Sequence, residues 1–159
     1  MRSRVAGAVV VLSALGAACS AHAFHPPPEE ENIARADSLY SPAAFDSIEW
    51  ASRQERIEAG NLVFATECRR CHGAIGRGET DYAAERELEV PSLVEEDWEY
   101  AGHIQDVRRV IFTGHVGGMP DWGPDQLAAR DIDAVAFYIL EQLRPEVLED
   151  SIAVDLPLD

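Results

Sequence analysis

Two cysteines and a histidine are spaced so that they could hold one cofactor together. Cys68 and Cys71 are separated by two residues, and His72 follows directly, which is the pattern C-x-x-C-H. Thiols three residues apart lie on one side of a helical turn, where each can add to a vinyl group of a haem, while the next histidine serves as an axial ligand of the iron. The pattern therefore predicts the covalent attachment of one haem c.

Other uses of the two cysteines fit the sequence less well. A thioredoxin-like pair needs a βαβ context, and no buried parallel strand precedes Cys68. Structural zinc needs two more ligands at suitable spacing, for which His103 and His115 are poor substitutes. A disulfide between Cys68 and Cys71 would suit an exported protein, but it leaves His72 unexplained.

Three residues downstream could supply a sixth ligand to the iron, namely Met119, His103 and His115. Met119 lies in Gly117-Gly118-Met119-Pro120, where the glycines allow close backbone approach and the proline stiffens the loop. The alternative for a methionine is to fill a gap in the core. With Met119 as the ligand, the closed coordination sphere favours electron transfer over O₂ or peroxide chemistry. We therefore expect no residue that makes or breaks bonds in a substrate.

Two helices are expected to position the motif and the loop after it. The first begins at Arg53, and its apolar face is formed by Ile57, Gly60, Phe64 and Cys68, so it leads directly into the motif. The second spans Ile104–Phe112 and stops at Gly114. Between them, Pro91-Ser92-Leu93 is expected to return the chain to the core.

A third helix follows from the apolar period between Ile132 and Leu143, and Pro145 is expected to end it. No strand-like alternation of useful length occurs. The sequence therefore predicts an all-α domain over residues 53–145.

The beginning of the chain has the pattern of a secretory signal over residues 1–23. A basic start precedes an uncharged apolar run over 5–18, and an A-x-A-like site follows at 21–23. We therefore expect an exported, periplasmic protein, either soluble or attached to a membrane. Membrane attachment would require that residues 5–24 be retained as an anchor or that Cys19 be lipidated.

The regions on either side of the domain are polar. A proline run at 26–28 and an acidic run at 29–31 predict an extension or linker over 24–52 that is extended and solvated, with at most a short helical turn around Ile33–Leu39. Residues 146–159 are expected to form an acidic tail.

The net charge excludes one large class of partners. The chain has 13 basic residues, all arginine, against 29 acidic residues, which gives a net charge of −16. Removal of residues 1–23 takes away two arginines and no acid, so the charge becomes −18. Phosphate repels such a surface, so nucleic acid is excluded as the main partner. The charge instead predicts redox proteins with a basic docking face; the alternatives are a general acidity that keeps the protein in solution and an adaptation to a saline habitat.

Residues 53–145 resemble a class I c-type cytochrome domain. The matching motifs occur in order: Gly60-x-x-x-Phe64, Cys68-x-x-Cys71-His72, Pro91-Ser92-Leu93, Val110-Ile111-x-x-Gly114, Gly118-Met119-Pro120 with Trp122, and Ile132-x-x-Val135-x-x-Tyr138-Ile139. The resemblance implies a small helical domain wrapped around one covalent haem, with His72 and Met119 as the axial ligands of the iron.

The resemblance also implies roles for residues around the haem. The first and last helices are expected to cross at Gly60, and Phe64 is expected to meet Val135 and Tyr138. The Pro91 carbonyl is expected to accept a hydrogen bond from the free ring nitrogen of His72.

As a function, the resemblance implies an electron-transfer protein and not an enzyme: an exported single-haem cytochrome that shuttles electrons one at a time between redox partners. The alternative is a cytochrome c subunit, or a membrane-tethered domain, of a larger respiratory or oxidising complex. A third interpretation is an enzyme or gas sensor with an open haem site. It fits less well, because a peroxidase of this kind usually carries two haem motifs.

Overall fold

A computed structural model describes residues 29–155, with side chains described as far as Glu149. In chain order the elements are α1 (Glu29–Leu39), α2 (Pro42–Asp46), α3 (Arg53–Val63), π1 (Phe64–Cys68), α4 (Arg69–His72), α5 (Asp81–Ala84), α6 (Ile104–Thr113), α7 (Ala129–Tyr138), π2 (Ile139–Leu143) and α8 (Arg144–Asp155), where π1 and π2 are π-helical turns. The described chain is helical, which confirms the predicted all-α fold. The signal peptide expected over residues 1–23 lies outside the described residues.

The centre of the fold is the crossing of α3 and α7. Gly60 allows the backbones of these two helices to approach each other closely. A Cβ atom at position 60 would overlap the Ala134 carbonyl oxygen and would lie 2.6 Å from the Tyr138 Cβ. Only glycine leaves room for the two backbones at this point. One turn further along, the rings of Phe64 and Tyr138 pack with centroids 5.7 Å apart.

One apolar core joins α6, α7 and the turns π1 and π2. Helix α6 contributes Val107 and Ile111, which alternate with exposed residues at helical spacing. The other buried side chains of this core come mainly from α7, the two turns and the loop before α6, and they are Phe45, Phe64, Leu93, Val94, Ile132, Val135, Ala136, Ile139 and Leu143.

Residues 29–50 differ from the extended, solvated linker that the sequence predicts. They form α1 and α2, and α1 packs against α6. Ala36 and Phe45 are almost completely buried, and the Trp50 indole donates to Asp133 at 2.7 Å. Three glutamates in the first turn of α1 also favour a helix there, because negative charge is stabilised at a helix N-terminus. The extension is therefore part of the packed domain.

A buried carboxylate connects this extension to three helices. Asp133 on α7 is 1% exposed, and besides Trp50 it accepts from Arg56 Nη2 at 2.6 Å and from Arg108 Nε at 2.9 Å. These donors come from α3 and α6. A charge this deep in the protein persists only when it is paired and hydrogen-bonded, and both conditions are met here.

The C-terminal region also differs from the prediction. Pro145 does not end the last helix; the chain passes through π2 and continues as α8 to Asp155. In π2 the Arg144 N–H reaches the Ile139 carbonyl five residues back. This wider turn accommodates the ring of Pro145, which would clash with the carbonyl four residues earlier in a regular helix. Among the described helices, none combines the length and the apolar character that a membrane span requires.

Candidate cofactor site

The C-x-x-C-H residues lie where helix α3 passes into the π-helical turn π1 and then into the short helix α4. In π1 the Arg69 N–H reaches the Phe64 carbonyl, and α4 then carries Cys71 and His72. Helix α4 ends at Gly73, whose φ of 77° lies in the left-handed region that favours glycine. Cys68 and Cys71 are both free cysteines in the described structure.

Next to this motif lies a cavity of about 420 Å³. Cys68, Cys71 and His72 line it, and so do Met119 and Trp122. The rest of the wall is mainly apolar and includes Leu88, Val90, Pro91, Leu93, Trp98, Val107, Val110, Ile111, Val116, Pro120 and Ile139. A mainly apolar cavity with a few converging ligand atoms is typical of a cofactor site.

The imidazole of His72 is held neutral and has one nitrogen without a partner. Burial lowers the pKa of His72, and the nearby Pro91 carbonyl opposes that shift. Nδ1 is buried and makes no hydrogen bond of normal geometry. The Pro91 carbonyl lies beside the ring. A neutral imidazole with an acceptor beside its second nitrogen is the form that binds metals.

The environment of Cys68 disfavours thiolate chemistry. Burial, with a smaller contribution from the charge of Glu67, raises the pKa of the Cys68 thiol to about 12. Redox-active and zinc-binding cysteines need the thiolate. The described part of the chain also brings together no group of three or more His, Cys, Asp or Glu side chains that could hold a metal ion. Burial therefore keeps the Cys68 thiol neutral.

Backbone hydrogen bonds fix the segment that follows the motif. The Gly78 N–H donates to the His72 carbonyl at 2.9 Å, and the Leu93 N–H donates to the Gly76 carbonyl at 2.7 Å. Gly78 has a φ of 79°, and a Cβ there would overlap the Val90 carbonyl. This close approach brings the Pro91 turn alongside His72.

Met119 is presented by a loop that closes on the end of α6. The His115 N–H donates to the Met119 carbonyl at 3.1 Å, and the Trp122 N–H donates to the Ile111 carbonyl at 3.3 Å. Met119 is half-buried and faces the cavity. His115 also lines the cavity, but it is exposed, and its Nδ1 lies 2.6 Å from the Val116 carbonyl.

The predicted site residues therefore fall into two groups. Cys68, Cys71, His72, Met119, Pro91 and Trp122 line the cavity, so a thioether-bound haem with a nitrogen ligand and a sulfur ligand fits the residues present. Gly60, Phe64 and Tyr138 lie behind it at the α3–α7 crossing. His103 stands at the start of α6, apart from the cavity lining.

Arg144 holds one wall of the cavity, although no sequence pattern indicates it. Its guanidinium donates to the Leu93 carbonyl and, at 2.9 Å, to the Glu95 carbonyl. It also lies 5.1 Å from the centroid of the Trp98 ring. Because its acceptors are main-chain atoms about 50 residues away, no local pattern in the sequence could reveal this role.

The mouth of the cavity is acidic. Glu67, Glu89 and Glu99 are exposed residues of the lining, and no arginine or lysine belongs to the described lining. Val116 on the same lining is 53% exposed. The lining therefore carries three exposed carboxylates and one exposed apolar side chain.

The chain is similar to a family of respiratory proteins. The family model described as Cytochrome C oxidase, cbb3-type, subunit III matches residues 55–139. The Cbb3-type cytochrome c oxidase subunit CcoP of Rubrivivax gelatinosus is 30% identical over 90 residues, which is 57% of this chain and 27% of that protein.

Two further relatives show the same pattern of partial coverage. The subunit CcoP of Rhodobacter capsulatus is 29% identical over 117 residues, 65% of this chain and 37% of that protein. The subunit FixP of Azorhizobium caulinodans is 34% identical over 80 residues, 50% of this chain and 25% of that protein. The chain thus spans well under half the length of these relatives. No solved structure matches it.

Proposed function

The chain belongs to the family Cytochrome C oxidase, cbb3-type, subunit III, and from this we propose that it is a single-haem electron carrier that works as a component of a respiratory oxidase complex. The relatives are named as oxidase subunits, which supports a subunit role over that of a free shuttle. The observation that carries the proposal is the convergence of Cys68, Cys71, His72 and Met119 on one cavity.

In this proposal the two cysteines hold the haem through thioether bonds, while His72 and Met119 bind its iron. When bound, the haem accepts and releases one electron at a time. The chain's own residues keep the iron ligands in place: the Pro91 carbonyl orients His72, and the Gly114-to-Trp122 loop orients Met119. If His72 and Met119 both bind the iron, they would suit it to electron transfer rather than to substrate binding. One C-x-x-C-H motif in 159 residues supports one haem in this chain.

The electron would leave or enter at the acidic mouth of the cavity. Glu67, Glu89, Glu99 and the exposed Val116 all line this cavity. Opposite charge on a partner speeds the encounter, and this effect weakens as salt rises. The proposal therefore includes a redox partner with a basic docking face, in an exported compartment, as the pattern over residues 1–23 predicts.

A second candidate is the mobile carrier that the sequence analysis favoured. The A-x-A-like site at residues 21–23 supports it, because cleavage there would release residues 24–159 from the membrane. The two candidates share the haem site and differ only in whether the protein stays in a complex.

Purification from native cells distinguishes them. A C-terminally tagged chain should be isolated from detergent-solubilised membranes, with oxygen consumption and subunit composition measured on the eluate. The proposal expects oxidase activity and further subunits to co-purify with the tagged chain. Recovery of the haem-bearing protein alone, in the soluble exported fraction, would overturn the subunit role and favour the mobile carrier.

A further inference from the structure

Helix α1 touches the Met119 loop on both sides of the methionine. The Gly117 N–H donates to Glu29 Oε2 at 3.2 Å, two residues before Met119. Arg35 Nη2 lies 3.0 Å from Asp121 Oδ2, two residues after it. The two contacts begin more than one helical turn apart on α1, so together they span the loop.

Helix α1 is itself fixed to the body of the domain. Ala36 is fully buried, and Arg109 on α6 pairs with Asp37 at 2.7 Å. Just after the helix, the Tyr40 ring lies 5.5 Å from the ring of Phe112 on α6. The helix can therefore serve as a fixed support for the loop.

The loop needs such a support, because its own sequence allows much freedom. Gly117 and Gly118 both have positive φ angles, 107° and 105°, and glycine loses more conformational freedom on ordering than any other residue. A Cβ at Gly117 would meet no atom within 4 Å, so this side of the loop is not packed. The hydrogen bond between His115 and Met119 closes the loop but does not attach it to another element.

We propose that Glu29 and Arg35 are positioning residues for Met119, and that α1 thereby determines how readily an external ligand displaces the methionine from the iron. This rests on the proposed ligation of the iron by Met119. Both residues lie outside the 55–139 range that the family model matches. Control of the sulfur ligand would thus belong to the N-terminal extension of this chain and not to the family's domain.

Imidazole binding to the ferric protein tests this directly, because imidazole must displace Met119 to bind. The double variant Glu29→Ala/Arg35→Ala is expected to bind imidazole roughly tenfold more tightly, since two exposed polar contacts together contribute about 1.4 kcal/mol, which is tenfold in an equilibrium constant. The conservative variants Glu29→Gln and Arg35→Lys should stay close to the wild type.

Arg130→Ala is the matched control. It removes an exposed ion pair of the same kind, between Arg130 and Glu55 at 3.1 Å, that involves neither α1 nor the loop. The expected result is an unchanged imidazole affinity. Circular dichroism and urea unfolding of each variant show that the domain is folded.

Two results would overturn the positioning role. One is a double variant that binds imidazole as weakly as the wild type; the other is an equal gain of affinity in Arg130→Ala. Failure of the underlying ligation has a different signature. In that case the wild-type ferric protein itself would lack the weak long-wavelength absorption band that sulfur ligation produces.

Discussion

The guanidinium of Arg53, at the start of α3, donates to the backbone carbonyl of Glu141 at 2.8 Å. This is the carbonyl to which Pro145, having no N–H, cannot donate in the helix. The chain thus continues through a proline because a donor from a distant helix replaces the missing one. The same contact ties π2, the turn that leads into α8, to the start of α3.

Replacing Arg53 should therefore weaken the last helix. We expect Arg53→Ala to lower the free energy of unfolding by about 1 kcal/mol, the usual net contribution of one hydrogen bond. Amide hydrogens of residues 144–149 should exchange faster. Arg53 is exposed and lies over the Phe137 ring. Arg86→Ala is a suitable control, because Arg86 is likewise exposed and lies over the ring of Tyr82. Unchanged exchange in residues 144–149 of Arg53→Ala would show that the helix does not depend on this contact.

A single methyl group at position 60 should separate α3 from α7. Gly60→Ala places a Cβ against the Ala134 carbonyl and the Tyr138 side chain, and we expect a loss of about 3 kcal/mol in urea unfolding. Asn61→Ala, one residue further on the exposed side of α3, should change stability little. Equal stability of the Gly60→Ala variant and the wild type would contradict the close crossing described here.

The carboxylate of Asp133 should be indispensable to the packing of the extension. In Asp133→Asn the guanidiniums of Arg56 and Arg108 lose their buried counter-charge, so we expect a loss of about 3 kcal/mol in stability. The fluorescence of Trp50 should report the change, because its indole donates to the same side chain. Asp131→Asn on the same helix serves as the control. A variant at Asp133 as stable as this control would contradict the structural role of the buried charge.

The acidic mouth of the cavity should discriminate small redox reagents by charge. The test compares the wild type with the triple variant Glu67→Gln/Glu89→Gln/Glu99→Gln. At low ionic strength the reduced wild-type protein is expected to react roughly threefold faster than this variant with a cationic cobalt phenanthroline complex. With ferricyanide, an anion, the order should reverse. The differences should shrink at high salt, because exposed charges are screened.

A control with the same net charge isolates the position of these residues. Glu30→Gln/Glu31→Gln/Glu85→Gln removes three exposed carboxylates that do not line the cavity. Stopped-flow rates of this variant should lie close to those of the wild type. If both triple variants react with the cationic reagent at equally reduced rates, the total charge of the protein governs the reaction and the position of the docking face does not.

Local patterns in the sequence predict the parts of this protein that depend on neighbouring residues. The C-x-x-C-H spacing, the helical period of 104–113 and the Gly-Gly-Met-Pro loop all lie within a few turns of chain. Each of these motifs also supplies its own side chains to the cavity. The sequence therefore indicates many of the residues that line it.

The features that the sequence does not predict depend on distant partners. Phe45 and Trp50 are isolated apolar residues in a polar stretch that shows no helical periodicity. Their positions depend on the distant residues that they contact, the buried core for Phe45 and Asp133 for Trp50. Arg144 bonds main-chain carbonyls that any sequence offers. Pro145 normally indicates the end of a helix, and the donor that compensates for it is 92 positions away in the chain, at Arg53.

The absorption spectrum of the purified protein, recorded in the ferric and ferrous states with and without carbon monoxide, tests the central claim most directly. The account predicts low-spin iron in both states, a long-wavelength band from sulfur ligation in the ferric protein, and no carbon monoxide binding at neutral pH. Met119→Ala should lose the band, bind carbon monoxide and show a lower reduction potential. A wild-type protein with high-spin iron that binds carbon monoxide, or a Met119→Ala variant with an unchanged spectrum, would contradict it.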